Sequence, residues 1–175
     1  KVFAHTPVRF ATSSLVLFKI FNDIIKNIDG FLIIDVGGEA TEVNLIRNHT
    51  IEQSVSFPFG NNLLFRKISS GLNTFLKEAV SIVKTYSRGH RTADTSEKID
   101  LIIKDSVREW RVALKNSLTN LAHTRLLPQN VFVVGDDPAA KYFFSSLDGD
   151  EFISLTILNK PFIIQKINPA WLTHY

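Results

Sequence analysis

Cysteine and methionine are both missing from this 175-residue chain. Without cysteine there is no disulfide, no thiolate nucleophile and no cysteine-ligated metal site. Without methionine at position 1 the chain is expected to be either processed or, the preferred reading, a piece of a longer protein. No apolar run approaches the roughly 20 residues of a membrane span. No basic segment followed by an apolar stretch and a small-residue cleavage site marks a secretory signal. Internal repeats and low-complexity segments are also lacking. Charge of neither sign dominates: 20 Lys and Arg against 17 Asp and Glu give a net charge of +3 and an isoelectric point of about 9.2, short of the basic footprint of a nucleic-acid binder. The five histidines, His5, His49, His90, His123 and His174, are scattered, with no i, i+4 pair and no matching carboxylate cluster. A zinc site or a catalytic triad therefore has no support.

What is present is a core. Hydrophobic residues make up 45% of the chain and charged ones 21%, which excludes bulk disorder and suffices for one good domain, with at most a small appendage. Most of the 14 phenylalanines sit in apolar patterns and read as interior. Residues 1–4 read as the end of a strand. Pro7 then opens a helix-like stretch in which Phe10, Ser14, Leu17, Ile20 or Phe21, Ile24 and Ile28 recur at helical spacing. Residues 31–36 are a short, almost wholly apolar run, as in a strand buried on both faces. Residues 42–47 and 50–57 partly alternate around Asn48-His49, which predicts a meander closed by a two-residue hairpin.

A long helix is expected over 62–86, weakened in its middle by Ser69-Ser70-Gly71. Residues 87–97 are polar and read as a mobile loop. A second long helix is expected over 98–125, with Ile103, Val107, Trp110, Leu114, Leu118 and Leu121 on its buried face. Residues 131–134 form a buried strand. A short helix ending near Leu147 follows, with Asp as N-cap and Pro138 at its first position. Two further strand-like runs cover 152–158 and 161–167. Three consecutive antiparallel strands followed by helix-separated strands are the pattern of a ribonuclease-H-like α/β layer: a mixed sheet with an antiparallel meander and flanking helices.

Chemistry concentrates in residues 35–42, Asp-Val-Gly-Gly-Glu-Ala-Thr-Glu, between two strands of the meander. A strand ending in Asp35 delivers a carboxylate to a cleft. Gly37 and Gly38 let backbone N–H groups approach a phosphate with no Cβ in the way, and Thr41 can add a hydroxyl. The other use of these residues is a tight turn with a satisfied Asp. Gly135, Asp136 and Asp137 after the strand at 131–134 serve either a nucleotide contact or, slightly favoured, a capped helix start. Gly60 and Asn61 read as backbone punctuation. Lys104, Arg108, Arg111 and Lys115 line one helix face, best read as solvated and otherwise as a docking face. Trp110 reads as a core anchor. Trp171 is either a packed terminus or a partner contact.

This context resembles the second phosphate loop of the actin-like ATPase superfamily, Asp-x-Gly-Gly-Gly-Thr-Thr-Asp in a β-hairpin. The strand, turn, strand, glycine and helix that follow are similar, and so are the Pro7 segment before it and the apolar strand ending at Gly135, which looks like the adenosine-contacting motif. The order fits the second domain of the FtsA cell-division and PilM pilus-assembly families. The resemblance implies a connecting segment at 1–30 from a first domain that holds the other phosphate loop, the second domain at 31–167 and a tail at 168–175. It implies ATP and Mg²⁺ as cofactors. Asp35 would position Mg²⁺ or the attacking water, Gly37, Gly38 and Thr41 would cradle phosphate, and Gly135 and Asp136 would meet adenosine. It also implies a cytoplasmic bacterial scaffold at the inner face of the membrane, touching the membrane only indirectly, binding no nucleic acid, and acting by self-assembly or by gripping a short segment of a pilus or division protein. Turnover would be slow or absent.

The chain departs from the pattern at Glu39, Ala40 and Glu42, and Asp136 and Asp137 replace glycines. Extra carboxylates beside a triphosphate repel it. The departures leave open a degenerate interaction module of the same fold that binds no nucleotide. A sugar- or acetate-kinase-like phosphotransferase is the third reading, disfavoured by the lack of an obvious acid–base residue.

Overall fold

Residues 31–34 are Phe-Leu-Ile-Ile, so a strand holding them has no polar side to show to water. A computed structural model of the chain, describing residues 12–25, 28–90, 93–135 and 138–167, places this strand at the centre of a five-stranded sheet. The elements in order are α1 (Ser13–Ile24), β1 (Gly30–Val36), β2 (Thr41–Arg47), β3 (Thr50–Phe57), α2 (Asn61–Leu72), α3 (Leu76–Ser87), α4 (Ala93–Ala122), β4 (Asn130–Gly135), α5 (Ala140–Phe144), a 3-10 helix (Asp150–Leu155) and β5 (Ile163–Ile167). Strand order is β3-β2-β1-β4-β5. The first three strands are the antiparallel meander, and β4 and β5 join in parallel. The strand expected at residues 1–4 and the tail at 168–175 lie outside the described residues.

Alternation along β1 divides the interior into two cores. Leu32, Ile34 and Val36 point to one face with Val43, Leu45, Val131 and Val133, covered by α2, α3 and α4. Phe31 and Ile33 point to the other with Ile46, Phe132 and Val134, covered by Leu17 and Phe21 of α1. On that smaller side three rings lock together: Phe132 lies 4.9 Å from Phe21 and edge-on to Phe31 at 5.4 Å. The hairpin expected at Asn48-His49 is present. Both residues have positive φ, 48° and 57°, as a tight two-residue turn demands.

Three expectations about the elements are corrected. The helix expected over 62–86 is two helices. Asn73 ends α2 in the left-handed conformation, φ 51° and ψ 50°, and its N–H and that of Thr74 return to the carbonyl of Ser69. Glu78 then caps α3 by accepting from the N–H of Phe75. The apolar stripe runs through the break, so periodicity alone could not see it. Alanine at Asn73 is expected to cost about 1–2 kcal/mol, because a Cβ-bearing residue without a short polar side chain is strained there, whereas glycine should be close to neutral. Chemical denaturation of the two variants checks this.

Second, α4 begins at Ala93, within the segment expected to be a loop, and ends at Ala122. Third, the strand expected at 152–158 is the 3-10 helix, with only Thr156 bridging to Leu127. A parallel step from β4 to β5 needs a crossover. The 3-10 helix and α5 supply it, and the free edge of β4 is taken by β5. The N-cap of α5 is Ala139 and no side chain caps it. Asp136 and Asp137 lie outside the described residues.

Candidate functional site

β1 and β4 run parallel with Asp35 beside Val134 and Val36 beside Gly135. Their carboxyl ends, and the loops that follow, therefore meet at one edge of the sheet, where open α/β folds bind ligands. The structure thus brings Asp35, Gly37, Gly38 and Gly135 to one end. The larger cavities among the described residues lie away from this end. One of about 440 Å³ lies at the opposite end, against Gly30, Arg47 and Asn130, and one of about 570 Å³ lies between α3 and α4.

The β1–β2 register sorts the side chains. Asp35 faces Glu42 directly and Val36 faces Thr41. Partners directly opposite share a face. Asp35 and Glu42 are thus on the α1 side, where Ser14 donates to Glu42, and Thr41 is on the α4 side. The expected hydroxyl contact from Thr41 to phosphate is corrected accordingly. Thr41 is fully buried. Its hydroxyl donates to the carbonyl of Phe59 at 2.6 Å and accepts from Trp110 Nε1–H at 2.9 Å. Its work is to fasten the hairpin to α4.

Gly37 N–H closes the turn onto Ala40 O at 3.0 Å, while the amides of Gly38, Glu39 and Ala40 donate to no group among the described residues. Successive unpaired amides in a turn make an anion-binding concavity. Behind the loop, the carbonyls of Gly37 and Gly38 accept from the N–H groups of Asn61 and Asn62 at 2.9 and 2.8 Å. The first amides of α2 are thereby satisfied by the loop, so the helix end holds the loop rather than a ligand. Asn61 Nδ2 also reaches Val36 O at 3.4 Å, and its buried Oδ1 has no partner among the described residues. Gly60 is more than punctuation. A Cβ on it would lie 2.5 Å from both Gly37 O and Gly38 O. Gly135 likewise has a packing reason: its Cβ would lie 2.8 Å from Ala140 Cβ and Phe144 Cζ, so its bareness lets α5 close on β4.

Glu39, at the tip, is held by α2. Arg66 donates to both its carboxylate oxygens at 3.0 Å and Asn62 Nδ2 donates at 2.8 Å. The Arg66 hydrogen bonds hold the Glu39 carboxyl below its ordinary range, with Asn62 adding to the effect, and the same bonds raise Arg66. The pair is therefore intact at neutral pH and is lost only as pH falls through the lowered Glu39 value.

Among the described residues no cluster of three or more His, Asp or Glu could hold a metal alone. Mg²⁺ suits the site nonetheless, since it binds through one or two carboxylates with phosphate oxygens and water. The basic face of α4 is largely paired. Arg108 meets Asp105 at 3.1 Å, and Arg111 and Lys115 both meet Glu151. Trp110 is a core anchor with no exposed surface. No helix among the described residues is long and apolar enough to cross a membrane. Sequence reasoning missed Gly60, Arg66 and Glu42 as site builders. The glycine just before a helix and the acidic residue at the last position of the loop pattern were the signals available; Arg66 had none.

No known family profile matches the chain, and no curated protein matches it in sequence. The fold is shared with solved structures. The PilM–PilN type IV pilus biogenesis complex superposes over 95% of this chain and 44% of that chain, with a TM-score of 0.68 and 20% identity. The ethanolamine utilization protein EutJ from Carboxydothermus hydrogenoformans superposes over 89% and 51%, at 0.56 and 20%. MreB 5 of Spiroplasma citri bound to AMPPNP superposes over 86% and 52%, at 0.55 and 17%. The chain spans about half the length of these proteins. It has an actin-like ATPase fold and resembles PilM.

Proposed function

We propose that this chain is the nucleotide-binding half of an actin-like scaffold protein that takes ATP with Mg²⁺ and works by gripping a protein partner or by self-assembly. The observation that carries the reading is the row of amides at Gly38, Glu39 and Ala40 that donate to no described residue, set beside Asp35 and the Gly135 end of β4. These amides would hold phosphate oxygens. Asp35 would hold Mg²⁺, directly or through water, with Glu42 across the ladder adding negative charge for the ion. The glycine end of β4 would face adenosine. In keeping with the resemblance, bound nucleotide would supply a conformational signal more than a product, with slow or absent turnover. The name of the PilM–PilN complex supports a protein partner in pilus assembly. A division role is the other setting of the same scaffold, and its place would be cytoplasmic, at the membrane's inner face.

Calorimetry of the intact protein with ATP, with and without Mg²⁺, tests the reading beside Asp35→Ala. Losing one charge-assisted contact of about 1.5–3 kcal/mol lowers affinity roughly 10- to 100-fold, and only in the presence of Mg²⁺. Absence of binding at millimolar ATP would overturn the nucleotide reading. It would favour the interaction module, for which the charged loop tip at Glu39 is the supporting feature. Phosphate transfer to a sugar or acetate would instead favour the phosphotransferase.

A further inference from the structure

A carboxylate at Glu39, where the resembling family has glycine, ought to spoil an oxyanion site, because like charges repel at short range. The structure shows where that charge goes. Arg66, one turn into α2, meets Glu39 in a two-pronged pair, Nη1 to Oε1 and Nη2 to Oε2, each at 3.0 Å. Asn62 on the same helix shares Oε1. The carboxylate is drawn back towards α2, and the Glu39 amide on the loop donates to no described residue. The side chains are half-exposed or more, 66% for Glu39 and 50% for Arg66, so the pair adds little to stability. An ion pair with little structural value, fixed in fork geometry beside an anion-shaped loop, is best explained by charge and direction.

We propose that Arg66 is a charge-compensating positioning residue for a nucleoside polyphosphate bound on the amides of Gly38, Glu39 and Ala40, an inference that rests on the nucleotide-binding reading above. Arg66 cancels the Glu39 charge and turns its carboxylate away, replacing with a clamp what a third glycine would achieve by being bare. The two residues therefore act on affinity with opposite signs.

The test is ATP titration of the intact protein with Mg²⁺, comparing wild type, Arg66→Ala, Glu39→Ala, the double variant and Arg66→Lys. Arg66→Ala is expected to weaken binding about tenfold, the effect of one uncompensated charge near the phosphates. Glu39→Ala is expected to strengthen it about threefold, and the double variant to fall between the two. Arg66→Lys keeps the charge and loses the fork, and should lie between wild type and Arg66→Ala. The Arg66→Ala deficit should shrink at about 0.5 M salt, where charges this far apart are screened. Thermal unfolding without nucleotide should change little in any variant. A purely structural clamp predicts equal, salt-independent losses for Arg66→Ala and Glu39→Ala, and that result overturns the proposal. Wild-type binding with Arg66→Ala unchanged also overturns it and leaves the nucleotide reading standing. No binding by wild type removes both.

Discussion

Replacing Trp110 with alanine is expected to lower stability by about 4 kcal/mol, the range for deleting a large buried aromatic. For a domain of this size that is a fall of roughly 8–16 °C in melting temperature. Trp110 has no exposed surface. Its ring lies 5.2 Å from Phe143 and 6.2 Å from Phe57, so it joins α4 to α5 and to the end of β3. Truncation removes this packing and leaves a cavity too well supported to collapse. It also strips a donor from the buried Thr41 hydroxyl. Trp110→Phe keeps most of the ring and loses the N–H, so it should cost about 1–2 kcal/mol. Thr41→Val removes the other partner, and the pair should couple by about 1 kcal/mol or more in a double-mutant cycle. Urea unfolding measures all of these. A loss under about 1 kcal/mol for Trp110→Ala would show that the junction does not anchor the fold.

The second large effect is expected at Gly60. Its backbone, φ −136° and ψ −169°, is extended and open to any residue, so the constraint is space rather than conformation. The Cβ of Gly60→Ala would sit 2.5 Å from two carbonyl oxygens and 2.7 Å from the carbonyl carbon of Gly38. Those are main-chain atoms, which no rotamer change can move. Either α2 or the loop must shift. The expected cost is about 3 kcal/mol, at the upper end for overpacking. Because the carbonyls that must yield belong to the loop with the unpaired amides, any nucleotide affinity should fall with it. Gly38→Ala is the control. Its Cβ would meet the movable amide of Asn62 at 3.1 Å, so it should cost under about 1 kcal/mol. Similar unfolding curves for the two variants would show that the loop does not press on Gly60.

Much of the fold was legible because its signals are local. The unbroken apolar run at 31–34 announced a strand covered on both sides, and Asn48-His49 announced the hairpin. The α2–α3 break was not legible. Asn73 alone does not decide a left-handed turn; the cap made by Glu78 on the next helix does part of it. The run at 152–158 looked like a strand, but the edge of β4 has room for one partner and β5 occupies it. At the candidate site, Asp35 and the glycines were legible from the strand-then-glycine pattern. The fate of Thr41 was in principle legible too. Counting back from Glu42 opposite Asp35 puts it on the other face of the sheet, but that count needs the register, and the register is a property of the pair of strands.

By itself the sequence determined the strands of the meander and the strand at 131–134, that the meander precedes the long helices, and where a glycine loop follows an acidic strand end. These follow from the spacing of apolar residues and from turn chemistry, which act within a few residues. Tertiary structure alone decided the partners. Trp110 reaches Thr41 across 69 positions, and Arg66 reaches Glu39 across 27. Gly60 owes its bareness to carbonyls of a loop more than 20 positions earlier. A sequence pattern reports which face a residue shows, because that depends on its own neighbours. It does not report what the face meets, because that depends on how the sheet, once assembled, lays distant segments against one another.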